Sequence, residues 1–162
     1  MTMIVSEITS PKIIHFGKGA FERTAAETAR LGRRAIIVTG RRLHGSGMVS
    51  RLVRDLDSLG TAAFLAEPVT NEPTVDMVDE LAAFLRSKKA DVVVAVGGGS
   101  VMDCAKAAAV MAVHDGSTED YQLKRREITN PPLAQVFAPT TAGTGSEATR
   151  VSVLTNPRVG VK

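Results

Sequence analysis

The sequence predicts an α/β domain: a mainly parallel β-sheet flanked by helices, with a β-hairpin at its end. Three observations carry this. Short apolar runs alternate along the chain with stretches whose apolar residues recur every three or four positions, the pattern of strands and helices taken in turn. The runs Ala35–Thr39 and Asp91–Val96 lack the in–out alternation of a half-solvated strand, so they suit strands covered on both faces. Each is closed by glycine, Gly40 in one case and Gly97-Gly98-Gly99 in the other, which separates strand from the element that follows. At 162 residues, with 44% hydrophobic and 23% charged residues, the chain has the size and balance of one folded domain.

Taken in order, Ile13–Phe16 reads as a short strand closed by Gly17, and Phe21, Thr24, Ala25, Thr28 and Leu31 fall at helical spacing. After the strand Ala35–Thr39, residues Val49, Leu52, Val53, Leu56 and Leu59 mark an amphipathic helix, with Gly60 where a C-terminal cap belongs. Ala62–Leu65 is the next strand. A loop over residues 69–73 follows, its Pro73 suited to open a helix that carries Val75, Val78, Leu81, Ala82 and Leu85 on one face. Asp91–Val96 is the strongest strand signal, and the helix behind its glycines runs from Ser100 towards His114. Residues 115–132 are polar and contain Pro131-Pro132, so they predict a surface loop with a short helical turn; Ala134–Ala138 returns to the sheet. Extended residues 149–154, a turn at 155–158 and a return at 159–161 predict the hairpin, whose second strand is cut at Lys162, so the sequence reads as part of a longer chain.

Composition narrows the function. No apolar stretch approaches the roughly 20 residues that span a bilayer, and the opening residues lack a basic segment followed by an apolar one, so a cytoplasmic protein with no membrane partner is expected. The single cysteine, Cys104, excludes a disulfide framework and suits a packed helix position without a base to activate it. The net charge of +3 is spread over short groups, among them Arg33-Arg34, Arg41-Arg42 and Lys124-Arg125-Arg126, and aromatics make up only 4% of residues, so no nucleic-acid partner is expected.

Two segments carry chemistry. Gly97-Gly98-Gly99-Ser100, between a buried strand and a helix, lets backbone approach a ligand closely and presents free helix-start amides that favour phosphate. The glycines do not follow the G-x-G-x-x-G spacing. The competing explanation is a loop in which Ser100 and Asp103 form a capping pair. The second segment, Pro139-Thr140-Thr141-Ala142-Gly143-Thr144-Gly145-Ser146-Glu147, offers amides and hydroxyls to a ribose or carboxamide, while Thr144 and Glu147 also have capping-box spacing.

Together, Gly97-Gly98-Gly99-Ser100-x-x-Asp103-x-x-Lys106 and Pro139–Glu147 closely resemble the iron-containing alcohol dehydrogenase family. The opening Lys12–Ala20 and the closing Thr155–Lys162 resemble it too, so the likeness spans nearly the whole chain. The second motif separates it from glycerol dehydrogenases and dehydroquinate synthases, and Asp103 with the Gly-Thr-Gly run separates it from maleylacetate reductases. The resemblance implies a Rossmann-like nucleotide-binding domain over residues 1–162. For the whole protein it implies a metal-dependent, homo-oligomeric alcohol dehydrogenase that interconverts a small alcohol and an aldehyde or ketone by hydride transfer. By resemblance, Gly97, Gly98, Gly99 and Ser100 hold the cofactor pyrophosphate, with Asp103 near its phosphate and nicotinamide end. Thr140, Thr141 and Thr144 line the adenosine and ribose part, Asn71 approaches from its loop, and Lys106 covers the helix surface.

The family's divalent metal, iron or zinc, is held by an aspartate and three histidines of a following helical domain. Here His15, His44 and His114 stand far apart and are expected to be structural or solvated, so neither a metal site nor a catalytic residue is assigned to this chain. The alternative to an enzyme part is a non-catalytic dinucleotide- or anion-binding module. The cofactor is NADP or NAD. Where NAD-using members place an aspartate after the first buried strand, this sequence has Gly40 followed by Arg41 and Arg42, which favours a 2′-phosphate and hence NADP.

Overall fold

The computed structural model describes residues 10–160. Among these residues four parallel strands form one sheet in the order β2–β1–β3–β4: β1 is Arg34–Thr39, β2 Ala62–Leu65, β3 Val92–Gly97 and β4 Ala134–Pro139. A 3₁₀ turn, Ala20–Arg23, leads into α1 (Thr24–Leu31); α2 is Gly47–Ser58, α3 Val75–Ser87, α4 Gly99–Met111 and α5 Thr118–Gln122. β1 and β3 run at the centre with neighbours on both sides. All six residues of β3 and the last five of β1 are buried, as the absence of polar alternation requires.

The two faces of the sheet have separate cores. Ile36, Val38, Val93 and Ala95 face α3 and α4, meeting Val78, Leu81, Leu85, Met102 and Ala105. Ala35, Ile37, Val92, Val94 and Val96 face α1 and α2, meeting Ala25, Val49, Leu52 and Leu56. α2 and α3 are capped by Ser46 and Thr74, whose side chains accept from Val49 and Met77, so Thr74 and not Pro73 opens α3. The short helix in the loop after α4 is fixed by a capping box between Ser117 and Asp120.

Two predicted elements differ. Ile13–Phe16 forms no strand: Ile13 and Ile14 are 62% and 69% exposed and Phe16 fully so, and no strand of the described residues pairs with them. Residues 151–154 form no strand, Thr155 and Asn156 are bridge residues with Thr155 parallel to Thr74, and residues 157–160 turn; the returning Val161 and Lys162 lie outside the described residues. Leu31, placed on the buried face of the first helix by its spacing, is exposed at that helix's last turn. Among the described residues no helix is long and apolar enough to cross a membrane.

Candidate functional site

Parallel pairing brings the ends of all four strands to one edge. There β1 leads to α2 on one face while β3 leads to α4 on the other, which opens a crevice between the two central strands. Thr39, buried at the end of β1, donates from Oγ1 to the Val96 carbonyl at 2.8 Å and locks the crevice floor. Val101, in the first turn of α4, lies beneath both lips. A Cβ at Gly97 would come within 2.7 Å of its Cγ2, and one at Gly40 would lie 3.6 Å from the same methyl.

The two glycine-rich segments meet here. A Cβ on Gly98 would stand 3.0 Å from Thr141 Oγ1, and one on Gly99 3.1 Å from Thr144 Cγ2, so the triple glycine packs directly against the threonines of the second segment. The amide of Thr140 donates to the Gly97 carbonyl at 2.9 Å, extending the β3–β4 register into that segment. None of Gly97–Gly99 adopts positive φ, so they are required for space; Gly143 and Gly145, at φ 103° and 63° with open surroundings, are required for the turn.

α4 begins at Gly98 without a side-chain cap, leaving its first amides free of any side-chain acceptor. The proposed Ser100–Asp103 capping pair is therefore not formed. No helix starts at Thr144 either: Ser146 N donates to Thr144 Oγ1 at 3.4 Å within a turn. Ser100, Thr140, Thr141 and Thr144 are exposed at the crevice edge. Gly40 is joined to the loop after β2 by a bridge to Val69, with exposed Arg41 and Asn71 close by in sequence on either side of that bridge.

Asp103 is committed to protein partners. Its Oδ1 accepts from Ser146 Oγ at 2.5 Å and pairs with Lys106 Nζ at 3.0 Å, and its Oδ2 accepts from Val153 N at 3.2 Å. Lys106, expected on the helix surface, is instead buried: its ammonium is caged by the Asp103 carboxylate, the Thr149 hydroxyl and the Val151 carbonyl. A motif lysine three residues after an aspartate signals a helical ion pair, but its burial follows from a segment folding back from residues 146–151. Ser146 escapes sequence reasoning for the same reason, and Val101 and Thr39 because the β1–β3 pairing places them, although a threonine ending a buried strand does signal a need for a partner.

The chain belongs to the iron-containing alcohol dehydrogenase family. The family model for iron-containing alcohol dehydrogenase matches residues 11–162. The chain is 40% identical over 155 residues to long-chain-alcohol dehydrogenase 1 of Geobacillus thermodenitrificans, covering 94% of this chain and 39% of that protein. It is 38% identical to choline dehydrogenase of Bacillus subtilis, covering 90% and 37%. Among solved structures, sulfoacetaldehyde reductase from Bifidobacterium kashiwanohense in complex with NAD⁺ superposes with a TM-score of 0.83 at 36% identity, covering 98% of this chain and 42% of that one. The chain thus spans about two fifths of these relatives. The Rossmann-like class expected for the family is the one observed.

The three histidines remain apart. His15 Nε2 lies 3.1 Å from Glu27 Oε1, and His44 is exposed. His114 is buried: Nδ1 donates to the Val110 carbonyl at 2.8 Å while Nε2 accepts from the amides of Thr129 and Asn130, both at 3.0 Å. Among the described residues no group of three or more His, Cys, Asp or Glu side chains is arranged to hold a metal.

Proposed function

We propose that this chain is the nicotinamide-cofactor-binding domain of a metal-dependent alcohol dehydrogenase that interconverts a small alcohol and an aldehyde or ketone. The observation that carries this is the meeting of Gly97–Gly99 with Thr141 and Thr144 at an uncapped helix start in the crevice between β1 and β3. Open sheets of this kind bind dinucleotides at such a crevice, and the NAD⁺-bound relative supports the same ligand class. The amides of Gly98, Gly99 and Ser100 receive the pyrophosphate, and the Thr140, Thr141 and Thr144 hydroxyls face its sugars. Asp103 acts by holding Ser146 and the turn before it, and Asn71 closes the rim. Bound nicotinamide supplies the hydride chemistry; the residues of this chain bind and orient it.

The metal that the family implies does not fit the described residues, among which no group of three or more His, Cys, Asp or Glu side chains is arranged to hold it. Iron or zinc, the alcohol or aldehyde, and a homo-oligomeric assembly belong in this proposal to the whole protein, which we place in the cytoplasm.

NADP is the preferred cofactor. Gly40 removes the carboxylate that would hydrogen-bond a ribose 2′-OH and repel a 2′-phosphate, and exposed Arg41 and Arg42 follow it. A Cβ at Gly40 makes only ordinary contacts at 3.6 Å, so Gly40→Asp is accommodated without unfolding. Titrating NADP and NAD into wild type and Gly40→Asp at about 0.15 M salt, where non-specific attraction is screened, is expected to show tighter NADP binding in wild type and a shift towards NAD in the variant. Absence of binding by either dinucleotide overturns the function; equal affinities unaffected by the aspartate overturn only the NADP preference.

A further inference from the structure

The motif Thr155-Asn156-Pro157-Arg158 lies outside the proposed cofactor contacts, yet its Asn156 and Arg158 side chains bond to neighbouring helices. Arg158 reaches two elements at once: Nη1 lies 2.6 Å from Asp76 Oδ1 in the first turn of α3, and Nε lies 2.6 Å from Glu119 Oε2 on α5. Fully buried Asn156 supports the same corner, donating from Nδ2 to Glu119 Oε2 at 3.1 Å and accepting from the Arg158 amide at 3.1 Å.

What this corner holds is the strap of residues 146–158. Gln122 Nε2 donates to the Leu154 carbonyl at 2.8 Å, Thr155 N to Pro73 O at 2.9 Å, and Val75 N to Thr155 O at 3.1 Å. One residue back, Val153 N is held by Asp103, which also holds Ser146. The strap therefore ties the Asn71–Pro73 loop, on one side of the crevice, to the Gly143–Ser146 turn on the other. Within the strap Thr155 and Asn156 are β-bridge residues, and side-chain bonds hold the residues before and after them.

We propose that Arg158 is a positioning residue for the dinucleotide site, clamping the strap to α3 and α5 so that both rims of the glycine cradle stay in register. This rests on the cofactor-binding function above. The Asp76 arm is exposed and worth little by itself; its value lies in joining α3, α5 and the strap at one residue, alongside the Gln122–Leu154 and Val75–Thr155 hydrogen bonds.

The test combines amide hydrogen exchange of the ligand-free chain with NADP titration in Arg158→Met, Arg158→Lys and Asp76→Asn. His114→Gln, which removes buried bonds far from the crevice, controls for general destabilisation. Arg158→Met is expected to speed exchange at Asn71, Glu72 and Val75 and to weaken NADP binding about fivefold, the size of coupling carried through packed networks. Arg158→Lys, able to reach one carboxylate, recovers part of the loss. His114→Gln lowers the melting temperature and leaves affinity as it was. Should Arg158→Met fail to fold, exposed Asp76→Asn carries the test, with smaller changes in the same direction. Unchanged exchange at Asn71–Val75, or affinity lost equally in His114→Gln, overturns the positioning role alone. A wild type that binds neither NADP nor NAD overturns the cofactor function and this role with it.

Discussion

Cys104 lies in the core between α4 and the sheet, where burial first and the neighbouring Asp103 carboxylate second push its thiol up to about 12. A thiolate is the reactive form, and a free one has a pKa of about 8.5. The folded chain is therefore expected to resist iodoacetamide at about pH 8 and to react on unfolding; labelling of the native chain at a free-thiol rate would contradict its burial. Gly32 shows the opposite edge of the sheet under tight constraint. A Cβ there would lie 2.1 Å from Asp91 Oδ1, the carboxylate that accepts from the amides of Arg33 and Arg34 at 2.9 Å each. Gly32→Ala must displace those bonds and is expected to cost about 2 kcal/mol, read by denaturant unfolding, with dinucleotide affinity unchanged because the crevice is at the other edge. Wild-type stability in that variant would show that the Asp91 bonds contribute nothing.

Elements with a strong internal period are legible in the sequence. The apolar positions of α3, Val75, Val78, Leu81, Ala82 and Leu85, are the ones it buries, because 3.6-residue spacing and core contact select the same face. The strand β2 keeps its predicted limits, Ala62–Leu65. Ile13–Phe16 fails because a four-residue apolar run does not reveal whether a partner strand exists, and the buried cage of Lys106 fails because two of its walls, Thr149 and Val151, come from more than 40 residues away in sequence. The glycine motifs are legible as a pair; their contact through Thr141 and Thr144, with Val101 beneath, required the topology. One long-range and one local set of ties give α5 its acid sensitivity. Glu119 is held below the ordinary carboxylate range by hydrogen bonds from Arg158 and Asn156, and Asp120 by those from Ser117. A depressed folded-state pKa means stability present above the ordinary range and lost as pH falls through the folded value. The stability gap between wild type and Glu119→Gln is accordingly expected to be full at neutral pH and to shrink below about pH 4. A gap independent of pH would contradict that linkage.

At the scale of the molecule, a doubly covered sheet leaves one edge for ligand, and in the proposed function the chain supplies one wall of a site whose metal chemistry belongs to the whole protein. With metal and cofactor added, the 162-residue chain is expected to bind dinucleotide without oxidising alcohols; metal-dependent turnover would refute this division of labour. The glycine cradle is tested most directly by calorimetric titration of NADP into wild type and Gly99→Val. Gly99 is only partly buried, so the variant is expected to fold, while its branched side chain fills the space beside Thr144 and blocks the approach of phosphate to the α4 amides. The predicted result is saturable binding by wild type and at least about a tenfold loss of affinity in Gly99→Val, the equivalent of one charge-assisted hydrogen bond. Equal affinity in the two proteins would contradict the glycine cradle.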